Sequence, residues 1–166
     1  MDQKLDKSIL NKAVQLLAQR DHSSYELTQK LVLFFSRKLN RDDEDYPELK
    51  QQLKQEVSHT IEYCICQNWI NDTQYIEKYI TMRANKGYGR QKIAVELKQR
   101  GLPEQVSRQL LNASDIDWAA LAYQQLQKKF KQIDLKNNLQ KQKSIQFLIY
   151  RGYTQSDVKT MYTLLT

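Results

Sequence analysis

The sequence predicts an all-α protein, built as an elongated, curved array of three tandem three-helix modules that resemble helix-turn-helix units. The main observation is a repeat: residues 97–105 and 148–156 share the pattern Leu-x-x-Arg-Gly, then an apolar residue, then a residue that opens a helix. Glycine adopts the left-handed conformation without Cβ strain, so each copy predicts one helix ending and another beginning at once. Composition is the second observation, because four glycines, two prolines and a low mean hydropathy suit small helical modules better than one globule with a large core. A unit that recurs in this way indicates a repeat array.

The first module is predicted to hold three helices. Apolar residues at helical spacing indicate a first helix over about 7–19. Ser23 and Glu26 form a capping box that opens a second helix, which ends near 37–40. A third helix is expected over 46–67. The side chains expected to face inward are Leu10, Ala13, Val14, Leu17 and Ala18, then Leu27, Leu31, Phe34 and Phe35, then Leu49, Leu53, Val57, Ile61 and Ile65.

The corner between the second and third helices is the weakest copy of the repeat. Phe34 and Phe35 stand where the other two copies have Arg-Gly. An acidic stretch at 41–48 follows, and a run of like charges is typical of a solvated loop. We therefore expect a mobile acidic insertion here instead of a tight corner.

The second module is predicted to begin where Asn71 or Asp72 caps a helix. This helix carries Tyr75, Tyr79, Ile80 and Met82 near its apolar side and ends at the Gly-Tyr-Gly sequence of residues 87–89, a tight turn. Two shorter helices follow, over 90–100 and 103–111.

The third module is predicted to open at Trp118, after a capping signature at residues 114–117. We expect Trp118 to be a packing anchor. The polar stretch 131–143 indicates a flexible connection, and the last two helices are expected over 144–150 and 155–165.

Positive charge is concentrated in the second and third modules. The modules are predicted to span 1–71, 72–112 and 113–166; the first has 10 Lys and Arg against 11 Asp and Glu, and each of the others has 8 against 4. A basic face attracts polyanions, whether nucleic acid or an acidic protein surface. The candidate binding residues are therefore Arg83, Lys86, Tyr88, Arg90, Lys92, Lys98, Arg100, Lys128, Lys129, Lys131, Lys141, Lys143 and Arg151. Each cation could equally belong to a solvated polar face, and Tyr88 could simply close its turn.

Signals of catalysis are lacking in the sequence. The Gly-Tyr-Gly turn is too short for a nucleotide-binding loop and is not followed by Lys-Ser or Lys-Thr. Cys64 and Cys66 are expected to be buried, reduced thiols on different sides of a helix, and His22 and His59 to have capping or surface roles. No carboxylate cluster includes a histidine or cysteine. We expect a non-enzyme without cofactor or metal.

No stretch approaches the roughly 18 apolar residues that a membrane span requires, and the first residues lack the apolar core of a signal peptide. We expect a cytoplasmic protein that does not contact membranes.

Three motifs in order make the chain resemble the RecX family of recombination regulators. They are residues 20–31 (Arg-Asp-His-Ser-x-x-Glu-Leu-x-x-Lys-Leu), residues 69–75 (Trp-Ile-Asn-Asp-x-x-Tyr) and residues 86–101 (Lys-Gly-Tyr-Gly, then Ile, Glu-Leu and Arg-Gly). Residues 115–118 and 151–153 extend the resemblance into the third module. The resemblance implies three tandem three-helix modules and a protein that binds the RecA recombinase filament on single-stranded DNA. We expect it to be a monomer, and its basic residues leave open a weak direct contact with DNA. The resemblance also implies that filament growth, ATP hydrolysis, strand exchange and co-protease activity are restrained.

Two other functions remain open from the residues alone. One is a free-standing, sequence-neutral DNA-binding protein whose corners act as helix-turn-helix units, with Gln105, Arg108 and Gln109 on a recognition helix. The other is a helical adaptor unrelated to recombination. Salt dependence separates them, because only DNA binding should weaken steeply with added salt.

Overall fold

The computed structural model describes residues 4–165, and every regular element in that range is a helix. The nine helices are α1 (Lys7–Gln19), α2 (Ser24–Ser36), α3 (Tyr46–Cys66), α4 (Asp72–Asn85), α5 (Arg90–Gln99), α6 (Glu104–Ala113), α7 (Trp118–Lys129), α8 (Asn138–Tyr150) and α9 (Gln155–Leu165). The predicted all-α class is confirmed. The chain forms two compact units, Met1–Tyr75 and Ile76–Thr166, so that α4 crosses the division.

The first unit is a bundle in which α1, α2 and α3 pack against one another. Its helices start at side-chain caps, since Asp6 accepts a hydrogen bond from the Ile9 amide and Ser23 accepts one from the Glu26 amide, both at 3.1 Å. Asp72, at the start of α4, also accepts hydrogen bonds from the amide and hydroxyl of Ser24. The buried core comprises Ile9, Ala13, Leu27, Leu31, Leu53, Val57, Ile61, Cys64 and Ile70.

His22 is buried and has a capping role, one of the two predicted for it: its Nδ1 donates to the carbonyl of Arg20, the C-cap residue of α1, at 2.9 Å, and its Nε2 accepts from Lys30. Other burial predictions for the first unit are wrong. Cys64 is buried but Cys66 is exposed, because residues two positions apart on a helix point in different directions. Outer positions of the apolar stripes are also exposed, including Val14, Ala18, Phe34, Leu49 and Ile65.

Four helices of the described chain, α3, α4, α5 and α8, end in the same way, with a residue of positive φ after the last helical turn. Gly87, Gly101 and Gly152 have φ values of 93°, 78° and 102°. At each, the next residue's amide bonds a carbonyl five residues earlier, as Leu102 does with Leu97 and Tyr153 with Leu148, both at 3.1 Å. The predicted glycine corners are therefore confirmed. Asn68, with φ 59°, ends α3 in the same way.

In the second unit, α7, α8 and α9 pack mutually and α5 packs on α6. Trp118 is buried as expected. Along α4, Tyr79 and Ile80 are buried as predicted, but Met82 is exposed and Ile76, which was not predicted, is buried. Residues 138–143 are helical, against the prediction of a flexible connection. The Asn137 side chain caps α8 by accepting from the amides of Leu139 and Gln140, and Lys and Gln are good helix formers.

Candidate partner-binding surface

Two turns of the second unit meet backbone to backbone at a contact that we call the glycine junction, comprising residues 86–92 and 150–153. The Gly89 amide donates to the Arg151 carbonyl and the Gln91 amide donates to the Gly152 carbonyl, each at 2.9 Å. A Cβ atom at Gly89 would lie 2.2 Å from the Tyr153 nitrogen. Glycine is therefore required for the approach itself.

The glycine junction includes a buried tyrosine that joins its two turns by a side-chain hydrogen bond. Tyr153 is fully buried, and its hydroxyl donates to the Gly87 carbonyl at 2.9 Å. Burial raises the pKa of Tyr153 to about 12, so this hydroxyl stays protonated at neutral pH. The two turns are thus joined by backbone and side-chain hydrogen bonds.

Arg151 lies across the glycine junction. Its guanidinium donates to the carbonyls of Lys86 at 3.1 Å and Gly87 at 3.3 Å, and to the Gln125 side chain at 3.3 Å. These acceptors are neutral, so the three hydrogen bonds hold the guanidinium of Arg151 without an ion pair among residues 4–165.

Three cations surround the half-buried ring of Tyr88. The guanidinium carbons of Arg83 and Arg151 lie 3.8 and 4.2 Å from the ring centroid, and Lys92 Nζ lies 4.7 Å from it. Cation–π contacts of this kind contribute about 0.5–2 kcal/mol each. The ring therefore holds together side chains that would otherwise repel one another.

Two of the candidate arginines also form ion pairs within the chain. Arg83 makes a bidentate contact with Glu96 at 2.8 and 2.9 Å, and Arg90 makes one with Asp157. Burial alone would raise the pKa of Glu96, but hydrogen bonds from Arg83 and Tyr79 outweigh it and hold that pKa below its ordinary value. Arg83 and Arg90 therefore have a structural role in these ion pairs, in addition to any contact with a partner.

The remaining predicted residues are exposed. Lys98 approaches Glu104 at 3.9 Å, the guanidinium of Arg100 lies 4.7 Å from the Tyr79 ring, and Lys141 lies over the Tyr162 ring at 5.5 Å. Four others are solvent-facing lysines: Lys128 and Lys129 at the end of α7, Lys131 after it, and Lys143 in α8. The structure brings together only part of the predicted set, namely Arg83, Lys86, Tyr88, Arg90, Lys92 and Arg151.

Four residues at this surface were not predicted from the sequence. Gln125 and Asp157 hold Arg151 and Arg90, and nothing in their local sequence indicates it. Tyr153 carries a signal, because it occupies the apolar position of the repeated corner. Tyr150 is the most exposed large apolar or aromatic side chain among residues 4–165, at 82%. Its position at the end of α8, next to Arg151 in the sequence, is the feature from which it could have been predicted as a surface residue.

Two further structural features are absent from the described residues. Within 4–165, no group of three His, Cys, Asp or Glu side chains is arranged to hold a metal. No helix in the same range is long and apolar enough to cross a membrane.

The helices and the clustered cations define a class of protein: an all-α protein of two compact units, the second of which carries a cationic surface. Family models narrow the class. Residues 71–111 match "RecX, second three-helix domain" and residues 115–160 match "RecX, third three-helix domain".

Comparison with related sequences also identifies RecX proteins, over nearly the whole chain. The sequence is 32% identical to "Regulatory protein RecX" of Pectobacterium atrosepticum over 154 residues, covering 93% of this chain and 95% of that one. It is 33% identical to the protein of the same name from Yersinia enterocolitica over 162 residues, with the same coverages. The chain belongs to the RecX family.

A solved structure shares the fold. The crystal structure of RecX from Lactobacillus salivarius superposes with a TM-score of 0.70 at 21% identity, covering 95% of this chain and 94% of that one.

Proposed function

We propose that this protein is a non-enzymatic regulator, mainly an inhibitor, of the RecA recombinase. It binds in the groove of the RecA filament on single-stranded DNA and limits filament growth, ATP hydrolysis, strand exchange and co-protease activity. It acts in the cytoplasm as a monomer without cofactor, through three modules spanning 1–71, 72–112 and 113–166.

The observation that carries the proposal is the family match over 93% of the chain to proteins named regulatory. The surface supports it, because the excess positive charge of residues 72–166 is displayed by exposed side chains of the second unit. A filament on DNA is a polyanion with protein grooves, so it offers both phosphate and acidic side chains to such a surface.

The proposed mechanism needs no chemistry in this chain. The glycine junction joins neighbouring parts of the second unit through backbone hydrogen bonds, which gives it a defined shape. A body of defined shape that contacts two adjacent RecA subunits opposes any rearrangement that changes their spacing, because it binds one spacing better than the other. Nucleotide-linked movement and subunit addition are then both hindered.

The helix-turn-helix alternative receives less support. Arg108 on the expected recognition helix already pairs with Glu104 one turn earlier, with Nη2 2.6 Å from the carboxylate. A base-reading arginine must present both donors to guanine.

The test is the DNA-dependent ATPase of RecA on single-stranded DNA, titrated with this protein up to equimolar RecA. We expect inhibition well below one molecule per RecA subunit, with filament assembly falling in parallel. Full ATPase activity at saturating protein would overturn the proposal, and inhibition that vanishes when excess DNA is added would reduce it to competition for bare DNA.

A further inference from the structure

The glycine junction carries an aromatic side chain that its fold does not use. Tyr150 is 82% exposed at the end of α8, whereas the neighbouring Tyr153 is fully buried. Lys92 Nζ lies 5.6 Å from the Tyr150 ring centroid and 4.7 Å from that of Tyr88. An exposed aromatic face thus stands beside a cation that is held in place by a second ring.

The positive charge beside Tyr150 is only partly compensated by carboxylates of the described residues. Of the three cations around Tyr88, only Arg83 forms an ion pair with a carboxylate among the described residues, and that carboxylate is Glu96. Glu96 lies four residues after Lys92 on α5 and interacts with it electrostatically, but its hydrogen bonds come from Arg83 and Tyr79. Lys92 and Arg151 therefore present positive charge that an external anion can neutralise.

The start of α5 does not bind that anion itself. The carbonyls of Arg151 and Gly152 already accept from the amides of Gly89 and Gln91. An anion at this place must be held by side chains, namely Lys92, Arg151 and the exposed Lys86.

We propose that this surface binds one nucleotide of naked single-stranded DNA, with the base stacked on Tyr150 and the adjacent phosphate held by Lys92 and Arg151. Single strands are recognised by aromatic side chains beside cations, because every base has a π-face and every nucleotide a phosphate. Duplex DNA hides its base faces in the stack, whereas a single strand exposes them to an aromatic side chain. The inference goes beyond the proposed function, since it requires no RecA.

The test is fluorescence anisotropy of a labelled oligo(dT) of about 15 nucleotides with the full chain and no RecA. Tyr150→Ala should weaken binding roughly 5- to 100-fold, whereas Tyr150→Phe should stay within about twofold because it keeps the ring. Lys92→Gln should weaken binding and reduce the slope of log affinity against log salt by about 0.7. Tyr25→Ala and Lys136→Gln are matched controls, since both side chains are exposed elsewhere in the described chain.

Three results would overturn the inference. The first is absence of binding by the wild-type chain at low salt. The second is equal affinity for an abasic strand of the same length, or equal loss in Tyr150→Ala and Tyr25→Ala, either of which would leave only diffuse charge. The third is a labelled polyglutamate probe that binds the wild-type chain and Tyr150→Ala equally but binds Lys92→Gln more weakly, while neither variant loses affinity for DNA. That result would assign the surface to an acidic protein. Because RecA is absent, these outcomes are independent of the ATPase test.

Discussion

Replacing Gly89 by serine tests whether the glycine junction joins its two turns as closely as the structure shows. Gly89 has φ −86° and ψ 168°, a conformation open to any residue, and it is the N-cap of α5. Serine is a better N-cap than glycine, so the local effect of Gly89→Ser on α5 is neutral or stabilising by a few tenths of a kcal/mol. Any destabilisation must therefore come from the junction.

The cost follows from the distances. A Cβ at residue 89 would lie 2.2 Å from the Tyr153 nitrogen and 2.3 Å from the Gly152 carbonyl carbon, and both are backbone atoms that cannot rotate away. Relief requires separating the turns, which breaks the two interturn amide bonds and the bond from the Tyr153 hydroxyl. At about 1 kcal/mol for each bond, Gly89→Ser should lose about 2–4 kcal/mol.

Urea unfolding followed by circular dichroism measures this loss. Gly101→Ser is the control, because Gly101 has a positive φ of 78° but is exposed, so serine there should cost only about 1–2 kcal/mol of backbone strain. A Gly89→Ser protein as stable as the wild type, or more stable, would refute the close approach.

Three further predictions follow from the charged groups. Glu96→Gln should lower the free energy of unfolding by about 1–3 kcal/mol, since the substitution leaves the partly buried Arg83 without its anion. Urea unfolding measures this loss, and an unchanged midpoint would contradict the prediction. Burial lowers the pKa of His22 below its ordinary 6.5, so the unfolded chain takes up the proton first and stability is lost as pH falls below about 6.5; His22→Gln should remove that part of the slope in unfolding midpoints measured between about pH 7.5 and 5.5. Reversing Lys86 and Lys92 together to Glu should weaken filament binding with the far-ultraviolet spectrum unchanged, and equal binding would remove this face from the interface.

The helices were predictable because their signals are local. Capping side chains, glycine ends and apolar spacing are read within a few residues, so α1 begins and ends where the sequence predicts, at Lys7 and Gln19. The start of α8 was missed because its polar first turns have no apolar stripe. Asn137 is the local signal that could have identified it, since its side chain caps the helix.

The candidate surface was predictable only as a set of charges. Which cations remain uncompensated depends on partners far along the chain, as with Arg90 and Asp157, 67 residues apart. No local pattern encodes such a pair. Arg90 is accordingly a poor choice for charge reversal, because its loss would leave the 5% exposed Asp157 without a counter-ion.

The most direct test of the central claim is the affinity of the labelled protein for RecA filaments preassembled on single-stranded DNA with a non-hydrolysable ATP analogue. Free RecA and the naked strand, measured at the same salt concentration, are the comparisons. We expect the protein to bind the filament more tightly than either component, and reversal of Lys86 and Lys92 should weaken that binding. Affinity for the filament no higher than for the naked strand would contradict it.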